Sequence, residues 1–261
     1  MPKASLALSV GLLTALTSAA AAQNVSDHVA MGVTAVQAHD IKTGLAHFEA
    51  ALAQDSMSYE ANWRAAIALM DEGEAFPDSA PSAPRDSLYA RAEAHARRAV
   101  SADSSRAEGH FALAATIGRA SLTMGKKDRI RRATIIRSEA LRAIAIDPQH
   151  DGAYHILGRW NAEIMRLSGF SRFFARRFLG AGIFGKASWE EAISNMEKAV
   201  ELDPGRIYHR LELAEILADR ERYADARKEL DQVAALPDRE LMDPLYRRRA
   251  AELAGKITRR Q

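Results

Sequence analysis

The sequence predicts an all-α fold: a superhelix of stacked antiparallel helix hairpins, finished by a C-terminal capping helix. Three observations carry that prediction. Four stretches read alike, Ala51-Leu52-Ala53-Gln54-Asp55-Ser56, Ala99-Val100-Ser101-Ala102-Asp103-Ser104, Ala143-Ile144-Ala145-Ile146-Asp147-Pro148 and Ala199-Val200-Glu201-Leu202-Asp203-Pro204. Each closes an amphipathic segment, and a new one begins a few residues on, which is how a helix stop followed by a helix start reads. Alanine dominates many segments while β-branched runs are scarce, a composition that favours helices over sheets. A helix pair cannot bury its apolar face alone, so phased copies imply stacking into a continuous core.

The segments follow in order. Residues 1–22 stand apart from the repeats: Lys3, an apolar run from Leu6 to Leu16, then small residues with Ala20 and Ala22 before Gln23. This is the pattern of a secretory signal peptide cleaved near Ala22, and the apolar run is short for a membrane span; a retained N-terminal anchor is the alternative. The repeat domain, 23–261, divides into units at 25–58, 59–106, 107–150, 151–206 and 207–237, with a cap at 238–257. The first unit is regular. The second carries an insertion, Gly73–Ser87, that reads as a Pro/Ser loop. The third is stretched around Ser121–Arg132 by longer helices, and the fourth holds the insertion FSRFFARRFLGAGIFG. The fifth ends at Leu236-Pro237, and Asp238–Ile257 reads as the terminal cap.

These repeats resemble the tetratricopeptide repeat, a hairpin unit of about 34 residues. Gly32, Gly44, Phe48, Ala51 and Ser56 fall on that family's positions in the first unit. Leu157, Gly158, Ala192, Met196, Ala199 and Pro204 do so in the fourth, and Leu213, Ala214, Ala226 and Leu230 in the fifth. The second and third units keep Ala66, Ala92 and Ala99, then Leu113, Ala114 and Ala143. The strings WRAAIALMDEGE, HILGRWNAEIMRLSGFSRFFARRFLG and SWEEAISNMEKAVELDPGR resemble, more narrowly, the regulator of microtubule dynamics proteins. That resemblance implies microtubule association in animals, and for some members a place at membranes and phospholipid binding. An exported chain would meet no microtubules.

Chemistry is sparse. The chain has no cysteine, hence no disulfide, thiolate metal site or cysteine nucleophile. Its net charge of +2 gives no reason to expect a nucleic-acid partner. The histidines show no metal-ligand spacing; His110 and His155 lie near corresponding turns of adjacent units, where they could be close, and read as two satisfied histidines rather than a metal pair. Gly180-x-Gly182-x-x-Gly185-Lys186 mimics a nucleotide loop, but Ala187 stands where a P-loop needs Ser or Thr, and arginines precede it where a buried strand would be apolar. Ser188-Trp189-Glu190-Glu191 instead reads as a capping box opening the next helix. No catalytic constellation is visible, and no cofactor is expected.

Two candidate surfaces remain. Trp63, Phe111, His155 and Leu211 share the fifth position of their units and are either a track along the concave face, the usual binding surface of solenoids, or ordinary core. Phe170, Phe174 and Phe178 recur on one helical face, with Arg172, Arg176 and Arg177 off it. That strip is either packed on neighbouring repeats or a surface for anionic lipid or an acidic partner. The basic run Lys126–Arg132 would add to its field if both emerge on one edge. The expectation is a non-catalytic, exported scaffold that engages a protein or peptide on the concave track, with arginines selecting acidic groups; anionic phospholipid at the strip is the alternative.

Overall fold

The computed structural model describes residues 24–76, 82–121, 124–169 and 182–259. Among the described residues eleven α-helices follow one another and there is no strand. They are α1 (24–37), α2 (Ile41–Gln54), α3 (Tyr59–Glu74), α4 (Ala83–Ala102), α5 (Ala107–Ser121) and α6 (Lys126–Ile146). Then come α7 (Asp151–Arg166), a short 3₁₀ helix (Gly182–Lys186), α8 (Trp189–Leu202), α9 (Ile207–Asp219), α10 (Tyr223–Ala235) and α11 (Asp243–Thr258). Each helix packs on its neighbour in sequence, and the odd-numbered helices also meet one another, α3 with α5, α5 with α7, α7 with α9 and α9 with α11. That is a superhelix with the odd-numbered helices inside.

The repeated aspartates explain the phasing. The N–H groups of Asp55, Asp103, Asp147 and Asp203 donate to the carbonyls of Ala51, Ala99, Ala143 and Ala199 at 2.8–3.0 Å, closing the last helical turn. Each Oδ1 then accepts from the backbone N–H two residues on, at Met57, Ser105, Gln149 and Gly205, 2.9–3.1 Å away. This Asx turn ends one hairpin and aims the chain into the next. Helix starts are capped by Asp40, Ser58, Ser82, His150 and Ser188, whose side chains accept from the third residue onward.

Alanines form the contact layers: Ala51, Ala65, Ala99, Ala143 and Ala199 are fully buried and let paired helices approach. At Gly158 the facing helix comes close: an added Cβ would lie 3.0 Å from Met196 Cε and 3.2 Å from the Ala192 carbonyl. Both ends of the second-unit insertion are helical. α3 runs to Glu74, and α4 begins at Ala83, with Ser82 capping it and Pro84 in its first turn. Proline costs nothing there because the first N–H groups of a helix have no intrahelical acceptor.

The C-terminal cap does more than cover the last hairpin. Tyr246 of α11 donates its hydroxyl to Glu74 Oε2 at 2.9 Å, and Glu74 also receives Arg119 at 2.5 Å. His39, in the turn between α1 and α2, lies 3.2 Å through Nε2 from the carbonyl of Arg239. The end of the chain thus meets its first two hairpins, and the concave face becomes the wall of a central cavity.

Candidate functional site

The cavity encloses about 710 Å³, within the range of small-ligand sites. The inner helices α3, α5, α7 and α9 supply most of its wall, with contributions from α6, the 3₁₀ helix and the segment Arg239–Met242. One end is apolar. Ile130, Trp160, Ile164 and Phe184 pack together, the Trp160 and Phe184 rings edge-on with centroids 6.1 Å apart. Trp160 reaches this place because its Nε1 donates to the Ala133 carbonyl at 2.7 Å, satisfying the one polar atom of the ring.

The other end is polar and internally paired. Arg206 holds Asp151 at 3.0 Å and Glu240 at 2.8 Å. Arg159 reaches Glu212 at 3.6 Å and bonds the Tyr208 hydroxyl, while the Tyr208 and Tyr246 rings stack at 4.4 Å. Burial raises Tyr208 to about 12, against the nearby Arg159 charge, so its hydroxyl stays protonated. The arginines expected to select acidic groups are therefore engaged by carboxylates of the protein itself. Asp71 differs. It lines the cavity from α3, half-buried, without a hydrogen bond or ion pair among the described residues. Burial, with Glu74 and Glu240 adding to it, raises its pKa well above the usual carboxylate range despite Arg206 and Arg119.

A chain of three side chains runs beside this wall. Asp151 Oδ2 accepts from His209 Nε2 at 2.8 Å, and His209 Nδ1 lies 2.8 Å from His155 Nδ1. Burial depresses both histidines, His155 most strongly, and His155 is lowered further because a proton there would oppose one on His209 and the Arg159 charge. Asp151 is pushed up by burial, but the His209 bond and Arg206 outweigh that and hold it below the usual range. With both rings neutral the protons are assigned. His209 carries its proton on Nε2 for Asp151, so its Nδ1 accepts from His155 Nδ1–H, and His155 Nε2 is left as a bare lone pair. That nitrogen is buried and has no partner.

Of the concave track, Phe111 and His155 line the cavity. Trp63 does not; it packs beside Ala66 and Ile67 with the Arg64 guanidinium 4.2 Å over its ring. Leu211 is fully buried in the core under α9, beside Ile207 and Ala214, as the core alternative has it. Each of the four is the fifth residue of its own helix, yet their surroundings differ. His110 and His155 do not pair: His110 sits 2.6 Å from Glu139 and 3.0 Å from the Ser104 carbonyl, whereas His155 meets His209 of the following unit. In the basic run, Arg131 pairs with Asp128 at 3.0 Å and Arg132 with Glu93, so part of that charge is neutralised locally. Arg172, Phe174, Arg176, Arg177 and Phe178 lie outside the described residues, as do the N-terminal residues 1–22. Ser188 is the cap of α8, accepting from Glu191 N–H at 3.0 Å. Among the described residues no cluster of three or more His, Asp or Glu could hold a metal ion, and no helix is long and apolar enough to cross a membrane.

The residues of the polar wall, Asp71, Glu74, Arg206, Tyr208 and His209, and Asp151 bonded behind them, carried no sequence signal. They come from different units, and no local motif joins them.

Solved structures share this architecture. A thermophilic TPR protein of Thermus thermophilus aligns with 88% of this chain and 98% of its own at 17% identity, with a TM-score of 0.61. The pilF protein of Pseudomonas aeruginosa aligns with 92% of this chain and 91% of its own at 16% identity, with a TM-score of 0.54. At such identities the likeness is one of fold. No curated protein matches the sequence. The model of regulator of microtubule dynamics protein 1-3 matches residues 33–258, nearly the whole repeat stack, and the chain belongs to that family.

Proposed function

We propose that the protein is a non-catalytic scaffold that binds a protein or peptide partner inside the cavity formed by its concave face. The observation that supports this most directly is the cavity itself, about 710 Å³, apolar at one end and walled by helices of successive units. A partner segment would bury apolar side chains against Ile130, Trp160 and Phe184 while its backbone meets the polar end. Fold alone does not name the partner. Photo-cross-linking tests the reading. A benzophenone amino acid at Ala115, on the cavity wall, is expected to trap a discrete partner in the native envelope, and one at Arg98, on an outer helix, is not. Equal trapping at both positions, or none at Ala115, would overturn it.

A second reading, anionic phospholipid at the strip Arg172–Phe178, is supported by where that strip is attached: Leu167 before it and Phe184 after it both line the cavity. Reversing Arg172, Arg176 and Arg177 to glutamate should abolish flotation with anionic liposomes; unchanged flotation removes the strip from consideration. We also propose export, with the mature chain starting at Gln23, which N-terminal sequencing of the cell-envelope protein checks. A mature protein that begins at Met1 is the contrary result.

A further inference from the structure

We propose that the cavity takes a primary ammonium group, such as a lysine side chain of the bound segment, and that the carboxyl of Asp71 is its anchor. This deepens the binding reading above and rests on it.

The inference comes from what the wall leaves unsatisfied. Asp71 is a carboxyl in a half-buried place with no hydrogen bond or ion pair among the described residues. The charged groups that face it are Glu74, Glu240, Arg206 and Arg119. Both guanidiniums are already engaged, Arg119 by Glu74 at 2.5 Å and Arg206 by Asp151 at 3.0 Å and Glu240 at 2.8 Å. Glu74 also accepts the Tyr246 hydroxyl at 2.9 Å. Asp71 is therefore the one acid of this group without a cation of its own, and without one its neutral form is favoured. A ligand cation would supply the missing charge.

A second, independent observation points the same way. His155 lines the same cavity, is 6% exposed, and has an Nε2 with no partner. The Asp151–His209 chain makes that nitrogen an acceptor. It shares the field of Arg119 and Arg206 with Asp71. Arg206 Nε also makes no hydrogen bond, but its guanidinium is already ion-paired with Asp151 and Glu240. The groups of this wall left without a partner of opposite kind, Asp71 and His155 Nε2, are both acceptors, and an ammonium offers three donors and no acceptor. An anionic group finds no free cation beside Asp71 and three carboxyls around it. The apolar stem of a lysine has Ile67, Met70 and Ile156 to pack on along the same wall.

The test compares hexylammonium, hexyltrimethylammonium and 1-hexanol by isothermal titration with the full chain, in two buffers of different ionisation enthalpy. Hexylammonium is expected to bind at least about tenfold more tightly than either other probe, because only it combines charge with N–H donors. Its binding should release up to about one proton, as Asp71 ionises against the incoming cation. Asp71→Asn, nearly isosteric and without a charge to bury, should bring hexylammonium and 1-hexanol within about twofold of each other and abolish the proton release. Coincident isotherms on the wild type would show a cavity that takes ligands without choosing an ammonium, and the inference is then wrong. A full preference retained by Asp71→Asn moves the anchor elsewhere and overturns it as well. No binding of any probe also overturns it, and the peptide reading then stands or falls on the cross-linking alone. The wild-type comparison needs no variant, so a folding defect in Asp71→Asn cannot decide the outcome.

Discussion

His155, His209 and Asp151 act as one unit because each sets the proton position of the next. Burial favours the neutral imidazoles, so the folded protein binds fewer protons there than the unfolded chain does once the pH falls below an ordinary histidine pKa of about 6.5. The sign follows: this stability is present above about pH 6.5 and is lost as the pH falls toward the depressed values of the folded state. His95, lowered to about 4 chiefly by burial and then by Arg98, contributes with the same sign. Thermal melts should therefore show a midpoint that drops between about pH 7.5 and about pH 5, with at most about 1.4 kcal/mol lost per pH unit for each such group. His155→Phe should make that slope shallower while His95 keeps part of it. A slope unchanged by His155→Phe would mean that His155 is not held neutral. Asp71 has the opposite sign, since a raised carboxyl pKa loses stability as the pH rises through it.

Among the elements, the hairpins are held by close packing of small residues and by tight turns. At Gly158 any larger side chain meets Met196 and the Ala192 backbone, which belong to the facing helix α8. Gly158→Val is expected to cost about 2 kcal/mol or more, from overpacking and from a β-branched residue in a helix. Urea unfolding measures it, and a loss under about 0.5 kcal/mol would show that the hairpin relaxes freely. The turn between α9 and α10 offers the reverse case. Glu221 has φ of 60°, a left-handed conformation that side chains with a Cβ resist. Glu221→Gly should stabilise the protein by about 1 kcal/mol in the same assay, the steric relief exceeding the entropy that glycine adds to the unfolded chain.

For the molecule as a whole, α11 joins the two ends of the stack. Tyr246, Ala250 and Ile257 are buried against the last hairpins, and the Tyr246 hydroxyl reaches Glu74 far back in the sequence. Truncation after residue 238 is expected to lower the melting midpoint by roughly 10 °C or more and to raise binding of a hydrophobic dye, since the apolar face of the last hairpin becomes exposed. Tyr246→Phe should cost only about 0.5–1.5 kcal/mol, the value of one hydrogen bond, and leave the fold intact. A truncated chain as stable as the full one would show that the stack does not need its cap.

By itself the sequence determined the helices, their pairing and their stops. Those depend on local period and local hydrogen bonds: alanine layers at helical spacing, the Asp at each hairpin end that forms an Asx turn, and Ser188 before α8. It could not place Trp63 and Leu211, because what a given helix position meets depends on the neighbouring helices and not on the position itself. The tertiary structure alone decided that the concave face forms a cavity, and that Asp71, Arg206 and His209 gather on its wall, the last two bonded to Asp151. Those groups come from different hairpins and meet only through the packing of the whole stack, so no short stretch of residues carries a trace of them.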